Sequence, residues 1–238
     1  MTAILKQGWQ LYSQHFGFVA AVVIAVWLPV ELLSSYMDQF VFGEDNWQKS
    51  IRFAIFLENF FGIIATAGVI AIGYFSLTGG PLTFGTALGM GAASWGRMWW
   101  TRLIVGLALM GGLLLLIIPG LYLIVRLALV EPVIVCERVY GPTAMRRSFD
   151  LTKGRFWQVF RLGLVLLGVL LTTAVLGVVP TVLIPALDHW LVDAAVQLVG
   201  DIIGAFCTLC LLSAYVKFST EEKLSSPAPV LQTREEVA

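Results

Sequence analysis

Glu31, Glu58, Arg126, Glu131 and Asp201 stand inside otherwise apolar stretches of the chain. A charged group in a hydrocarbon layer is expensive, so such residues pair, line a polar path or handle a ligand. Counted at 1.5 Å per residue, Glu31 and Glu58 fall roughly 8 Å below one face of the layer and Arg126 about 9 Å below it. Glu131 and Asp201 fall near mid-layer, roughly 15 Å down. A shallow cluster is therefore expected, with Arg126 pairing to Glu31 or Glu58, above a deeper level of Glu131 and Asp201. Pairing that holds helices together is one use of these charges. A polar path for a substrate or proton, with Asp201 or Glu131 protonated by desolvation, is the other.

Residue types for enzyme chemistry are sparse. His15 and His189 are far apart, neither belongs to an HExxH motif, and GxSxG is absent. Cys207-Thr-Leu-Cys210 has CxxC spacing, but it lies within an apolar run without His, Asp or Glu beside it. Buried free cysteines of that kind pack as small hydrophobes. Gly111-Gly112 reads as a place where helices approach closely, not as a phosphate-binding loop. No catalytic residue, metal or cofactor is expected. A formal net charge of zero gives no support to a nucleic-acid partner.

The elements that must position these residues are set by hydropathy. With 58% hydrophobic and 13% charged residues and a mean hydropathy of +0.87, the chain is too apolar for a soluble domain, where about a quarter of residues are charged. Spanning helices of about 20 residues are expected at Phe16–Phe40, Phe53–Leu77, Trp99–Ile118, Leu121–Cys136, Trp157–Leu183 and Leu191–Val216. Pro119-Gly120 is the expected turn between the third and fourth. The first apolar run is too long for a signal-peptide core and is expected to be retained.

With the N-terminus in the cytoplasm, every Lys and Arg falls on the inner side except Lys49, Arg52 and the intramembrane Arg126 and Arg161. Asp38, Glu44, Asp45, Asp188 and Asp193 then mark the outer segments, so both termini are expected to be cytoplasmic. A repeat runs through the chain. Lys6-Gln7-Gly8-Trp9-Gln10-Leu11 aligns with Arg146-Arg147-Ser148-Phe149-Asp150-Leu151, and Pro81–Leu88 is a weaker third copy. Each copy precedes a pair of spans and reads as an amphipathic helix. Leu5, Trp9, Tyr12 and Phe16 form one apolar face; Met145, Ser148, Phe149 and Thr152 form another. The expected architecture is an all-α polytopic bundle of six transmembrane helices with three amphipathic interfacial helices. Residues 1–218 form the membrane domain, in units of about 1–78, 79–138 and 139–218, and 219–238 form a disordered tail. Arg146, Arg147, Lys153 and Arg155 are candidate contacts to lipid headgroups.

Pro119, Tyr122, Arg126, Pro132 and Glu137, the Ala144–Ser148 helix running to Leu151-Thr152-Lys153-Gly154, and the following Phe156-Trp157 together carry a family resemblance. The chain resembles the membrane domain attached to some bacterial glycerophosphodiester phosphodiesterases and the related YciC-like membrane proteins. The resemblance implies a multi-pass domain of the bacterial cytoplasmic membrane. The phosphodiesterase activity resides in a separate soluble domain for which no segment here is long or polar enough. The expected function is a non-catalytic membrane module that organises lipids or partner membrane proteins. The alternative is a small transporter or permease using the buried carboxylates, against which the threefold rather than two-part repeat counts.

Overall fold

The computed structural model describes residues 1–43, 46–80, 82–183 and 189–225, which are helical throughout with no strand among them. Glu44, Asp45, Pro81, Asp188 and the tail from residue 226 lie outside the described residues. In chain order the helices are α1 (Thr2–Gln14), α2 (Phe16–Met37), α3 (Trp47–Thr78), α4 (Phe84–Leu115), α5 (Ile117–Leu127), α6 (Val130–Glu137), α7 (Gly141–Thr152), α8 (Phe156–Leu183) and α9 (Trp190–Ser225). A π-helical turn, Asp38–Phe42, extends α2. Among the described residues, five stretches are long and apolar enough to cross a membrane: Phe16–Phe42, Trp47–Thr78, Ile117–Glu137, Phe156–Pro180 and Trp190–Leu224. The expected span Trp99–Ile118 is not among them. Most of it is the second half of α4, which carries Arg102.

Two prolines explain where the middle of the chain departs from expectation. The α4–α5 turn falls on Leu116, whose backbone is extended (φ −168°, ψ 148°), and not on Pro119-Gly120. Pro119 instead occupies the first turn of α5, where a missing N–H has no helical partner to lose. The hairpin closes tightly: a methyl on Gly112 would lie 2.8 Å from Leu123 Cδ1 and 3.4 Å from Gly120 Cα. The fourth span is broken at Ala128-Leu129. Pro132 follows Ala128 by four residues, so its ring crowds that carbonyl and its nitrogen cannot bond to it. The break leaves the Arg126 carbonyl without its helical donor, and α7 satisfies it instead. Ser148 Oγ donates at 2.7 Å and Thr152 Oγ1 at 3.5 Å.

Positions aligned in the sequence have similar burial. Ile4, Gly8, Leu11 and Tyr12 are the buried positions of α1. Their equivalents are Ala87, Gly91, Ser94 and Trp95 in α4, and Ala144, Ser148, Leu151 and Thr152 in α7; all are buried except the half-buried Trp95. The fourth position donates a hydrogen bond to a neighbouring helix in the first two copies, Tyr12 Oη to Ile202 O at 3.1 Å and Trp95 Nε1 to Phe60 O at 2.7 Å, whereas Thr152 Oγ1 donates within α7 to Ser148 O at 2.8 Å and only approaches Arg126 O at 3.5 Å. Thus α1 packs on α9, the first part of α4 on α3, and α7 on α5 and α6. Every amphipathic helix leans on the second helix of the preceding unit, and the first closes the circle on the last.

In α1 the closest packing falls on a small residue. Trp9 is exposed, and small Gly8 is the contact residue, because a methyl there would meet Cys210 Sγ at 2.5 Å. The breaks differ too. His15 separates α1 from α2, and Gly154 at φ +74° separates α7 from α8, whereas α4 runs unbroken through the equivalent position. At the far end of the chain, α9 continues through Ser225, past the expected start of the tail at Ser219, because Glu221 and Glu222 hold ion pairs.

Candidate functional site

Helical periodicity brings a polar stripe on α2 and another on α9 to a common crevice. Trp27, Glu31 and Ser34 descend one face of α2; Ala54 and Glu58 lie on α3; Gln197 and Asp201 lie on α9. With Thr173 and Gly177 of α8 they line a cavity of about 420 Å³. A wider cavity of about 700 Å³ adjoins it through Ser34, Ala54, Gly177 and Gln197, and reaches Asp38, Trp47, Trp190 and Asp193. The end of α2 and the starts of α3 and α9 meet there, and the Trp190 ring lies 5.9 Å from that of Tyr36. A methyl on Gly177 would lie 2.6 Å from Val196 Cγ1, so glycine lets α8 close against α9. Gln197 Nε2 donates to Ser35 Oγ at 3.5 Å across the α2–α9 seam.

Three carboxylates face this space. Glu31 is 7% exposed, and its carboxylate has no ion-pair partner among the described residues. Asp201 Oδ2 is buried without a hydrogen-bond partner. Glu58, an exposed residue, also lines the cavity. No basic residue is among the described residues that line either cavity. The carboxylates do not converge closely enough to share a metal ion: among the described residues no three His, Cys, Asp or Glu form such a group.

The structure thus joins Asp201 to Glu31 and Glu58 and separates Arg126 and Glu131 from them. Glu131 pairs with Arg102 of α4, Nη2 to Oε1 at 2.7 Å, and Arg102 also reaches Thr66 Oγ1 at 3.5 Å. Arg126 does not pair with Glu31 or Glu58. Its guanidinium lies 4.9 Å from the Phe149 ring centroid and 5.7 Å from that of Tyr122, with Nε buried and unbonded. Depth counted along the helix does not fix rotation, and the Arg126 side chain turns toward α7. Double-mutant cycles should therefore show no coupling beyond about 0.5 kcal/mol between Arg126→Met and Glu31→Gln. Arg126→Met and Phe149→Leu should couple by about 1 kcal/mol, read from unfolding in mixed micelles. Coupling to Glu31 instead would restore the pairing expected from depth.

A second charged group ties α6, α7 and α9 together. Arg147 bonds Glu137 through Nε at 2.9 Å and Glu222 through Nη1 at 2.8 Å. Tyr215 Oη donates to Glu137 Oε1 at 3.0 Å. The hydrogen bond to Glu222, outweighing the effect of burial, and the bond to Glu137 raise the Arg147 pKa above its ordinary value. Arg155 pairs with Glu221 at 3.0 Å and lies 4.8 Å from the Phe218 ring centroid. Of the four expected headgroup contacts, Arg147 and Arg155 are thus engaged within the protein, while Arg146 and Lys153 are exposed. Sequence reasoning missed Glu221 and Glu222 by treating them as tail. The available signal was the Lys217/Glu221 spacing of four, which continues a helix face.

No curated protein and no solved structure matches the chain. A family model does, over residues 98–222, from the middle of α4 to the Glu222 ion pair. It describes the membrane domain and not the catalytic domain of the enzymes it is named after. With half of its length in that match, and with apolar helices long enough for several crossings, the chain belongs to the family of membrane domains of glycerophosphoryl diester phosphodiesterases.

Proposed function

We propose that the chain is a non-catalytic membrane module whose working part is the carboxylate-lined cavity, and that it takes up small cations there from the outer side of a bacterial cytoplasmic membrane. The cavity is the observation that carries this reading: it is open at one end of the bundle, reaches Asp201, and presents acids without bases. In this reading the second half of α4 supplies the sixth crossing, antiparallel to α5. Both termini are cytoplasmic, since Lys6, Arg146, Arg147, Lys153, Lys217 and Lys223 gather near that end. Helix α9, with 36 residues, is about 54 Å long and outreaches a hydrocarbon layer of about 30 Å. Its ion-paired end therefore projects into the cytoplasm, and exposed Arg146 and Lys153 meet anionic headgroups.

A permease that passes the cation onward is the second reading, favoured by the depth at which the cavity meets Asp201. The test of the cavity itself is Ser34→Cys in a background with Cys136, Cys207 and Cys210 replaced by alanine. In intact cells a membrane-impermeant cationic thiosulfonate should label Cys at 34 at least tenfold faster than its sulfonate analogue. Equal rates, or labelling only after the membrane is opened, would overturn the outward, cation-attracting cavity.

A further inference from the structure

The cavity is larger than a metal ion needs. A divalent ion requires oxygen ligands at about 2.0–2.6 Å, and no group of three ligating side chains gathers among the described residues. At about 420 Å³ the cavity has the volume of a small-molecule site, about 300–1,000 Å³. Its walls combine the carboxylates with apolar side chains, notably Leu170 and Trp27. The Trp27 ring is fixed in place: a methyl on Gly62 of α3 would lie 2.8 Å from its Cη2 and Cζ2. The ring therefore seats on the glycine, one helical turn from Glu58.

An ionised carboxylate buried to this degree requires a counter-charge. Among the described residues Glu31, at 7% exposure, has no basic partner, and Asp201 Oδ2 has no donor. Acids of that kind beside an aromatic ring attract a cation that has an apolar skin, since the ring quadrupole favours alkylammonium groups. A strongly hydrated sodium ion gains less from such a wall.

Resting on the cation-cavity reading above, we propose that this site binds a small organic ammonium group, seated between the Trp27 ring and the carboxylates of Glu31, Glu58 and Asp201. The group is either a free amine or the headgroup of an aminophospholipid, since both present the same cation. The full chain, purified in detergent, is titrated by calorimetry with tetramethylammonium chloride and with sodium chloride at constant ionic strength. Tetramethylammonium should bind saturably at one site, at least tenfold more tightly than sodium. Glu31→Gln and Asp201→Asn should each weaken it at least tenfold and Trp27→Leu severalfold, while Arg146→Ala leaves it unchanged.

In phosphatidylglycerol nanodiscs, adding phosphatidylethanolamine should raise the apparent Kd for tetramethylammonium at least threefold if the headgroup is the occupant. If only soluble ethanolamine competes, the free amine is. Wild-type binding no tighter than sodium, which needs no variant to fold, would overturn the proposal, as would unchanged affinity in both carboxylate variants. If Ser34→Cys is labelled preferentially by the cationic reagent but tetramethylammonium does not bind, the cavity stands and the ammonium assignment falls.

Discussion

Replacing Arg102 with methionine should lower the stability of the solubilised protein by about 3–5 kcal/mol, the usual effect of stranding one member of a buried ion pair. The double variant Arg102→Met/Glu131→Gln should recover most of that loss. The guanidinium and carboxylate are in direct contact at 2.7 Å, and about two-thirds of each side chain is covered by protein, with relative exposures of 29% and 33%. What fills the remaining third decides the outcome. If it is hydrocarbon, the lone Glu131 carboxylate is left in a medium that cannot hydrate it, and the single variant is the worst of the set. If it is water, the pair is a surface salt bridge worth at most about 1 kcal/mol. Denaturation with sodium dodecyl sulfate in mixed micelles separates these cases. A single-variant loss below about 1 kcal/mol would place the pair in water and move the crossing boundary of α4 beyond Arg102.

The crossings were readable from sequence because hydropathy dominates where a helix lies. The five apolar stretches fall on expected spans, and the repeat was visible in Lys6–Leu11 against Arg146–Leu151. Rotation was less readable. The alignment located α1 and α7, and in α7 the expected face is the one that packs, with Ser148 and Thr152 buried and Met145 and Phe149 against the core, whereas in α1 the tightest contact is Gly8, beside an exposed Trp9. A small residue that admits a neighbouring backbone looks neutral on a hydropathy scale, whereas a large exposed ring looks like core.

The site divides in the same way. Glu31 and Glu58 were expected together because α2 and α3 are a hairpin, so depth alone brings their residues level. Asp201 comes from α9, whose position beside α2 depends on the ring closing between the first and third units, and no local signal states that. Arg126 was misassigned because a count along the helix gives depth and not rotation, and its side chain turns to Tyr122 and Phe149. Arg102 was assigned to the inner face and not to Glu131, since a count of basic residues by side cannot show which of them turns inward.

Arg147→Met should destabilise the protein by about 3 kcal/mol, on the scale of two charged hydrogen bonds at about 1.5–3 kcal/mol each with some solvent screening. The guanidinium serves two carboxylates on different helices, Glu137 of α6 and Glu222 of α9, so its loss unties both and leaves Glu137 held only by Tyr215. The two arms should not be equal. Glu137 is 26% exposed and Glu222 is 42% exposed, so Glu137→Gln should be the more damaging change. Lysine at 147 should rescue only in part, since a point charge cannot hold both partners with the geometry of a planar fork. The pH dependence has a definite sign. The folded pKa of Arg147 is raised, so its contribution is full below the unfolded arginine value, which lies far above neutral pH. That contribution is lost only as pH rises through the still higher folded value. The stability difference between wild type and Arg147→Met should therefore not decline through Arg147 titration between about pH 7 and pH 10. A difference below about 1 kcal/mol, or equal losses in Glu137→Gln and Glu222→Gln, would mean that the ends of α6 and α9 are held by packing around Phe218 and Leu151, and that the charges only decorate it.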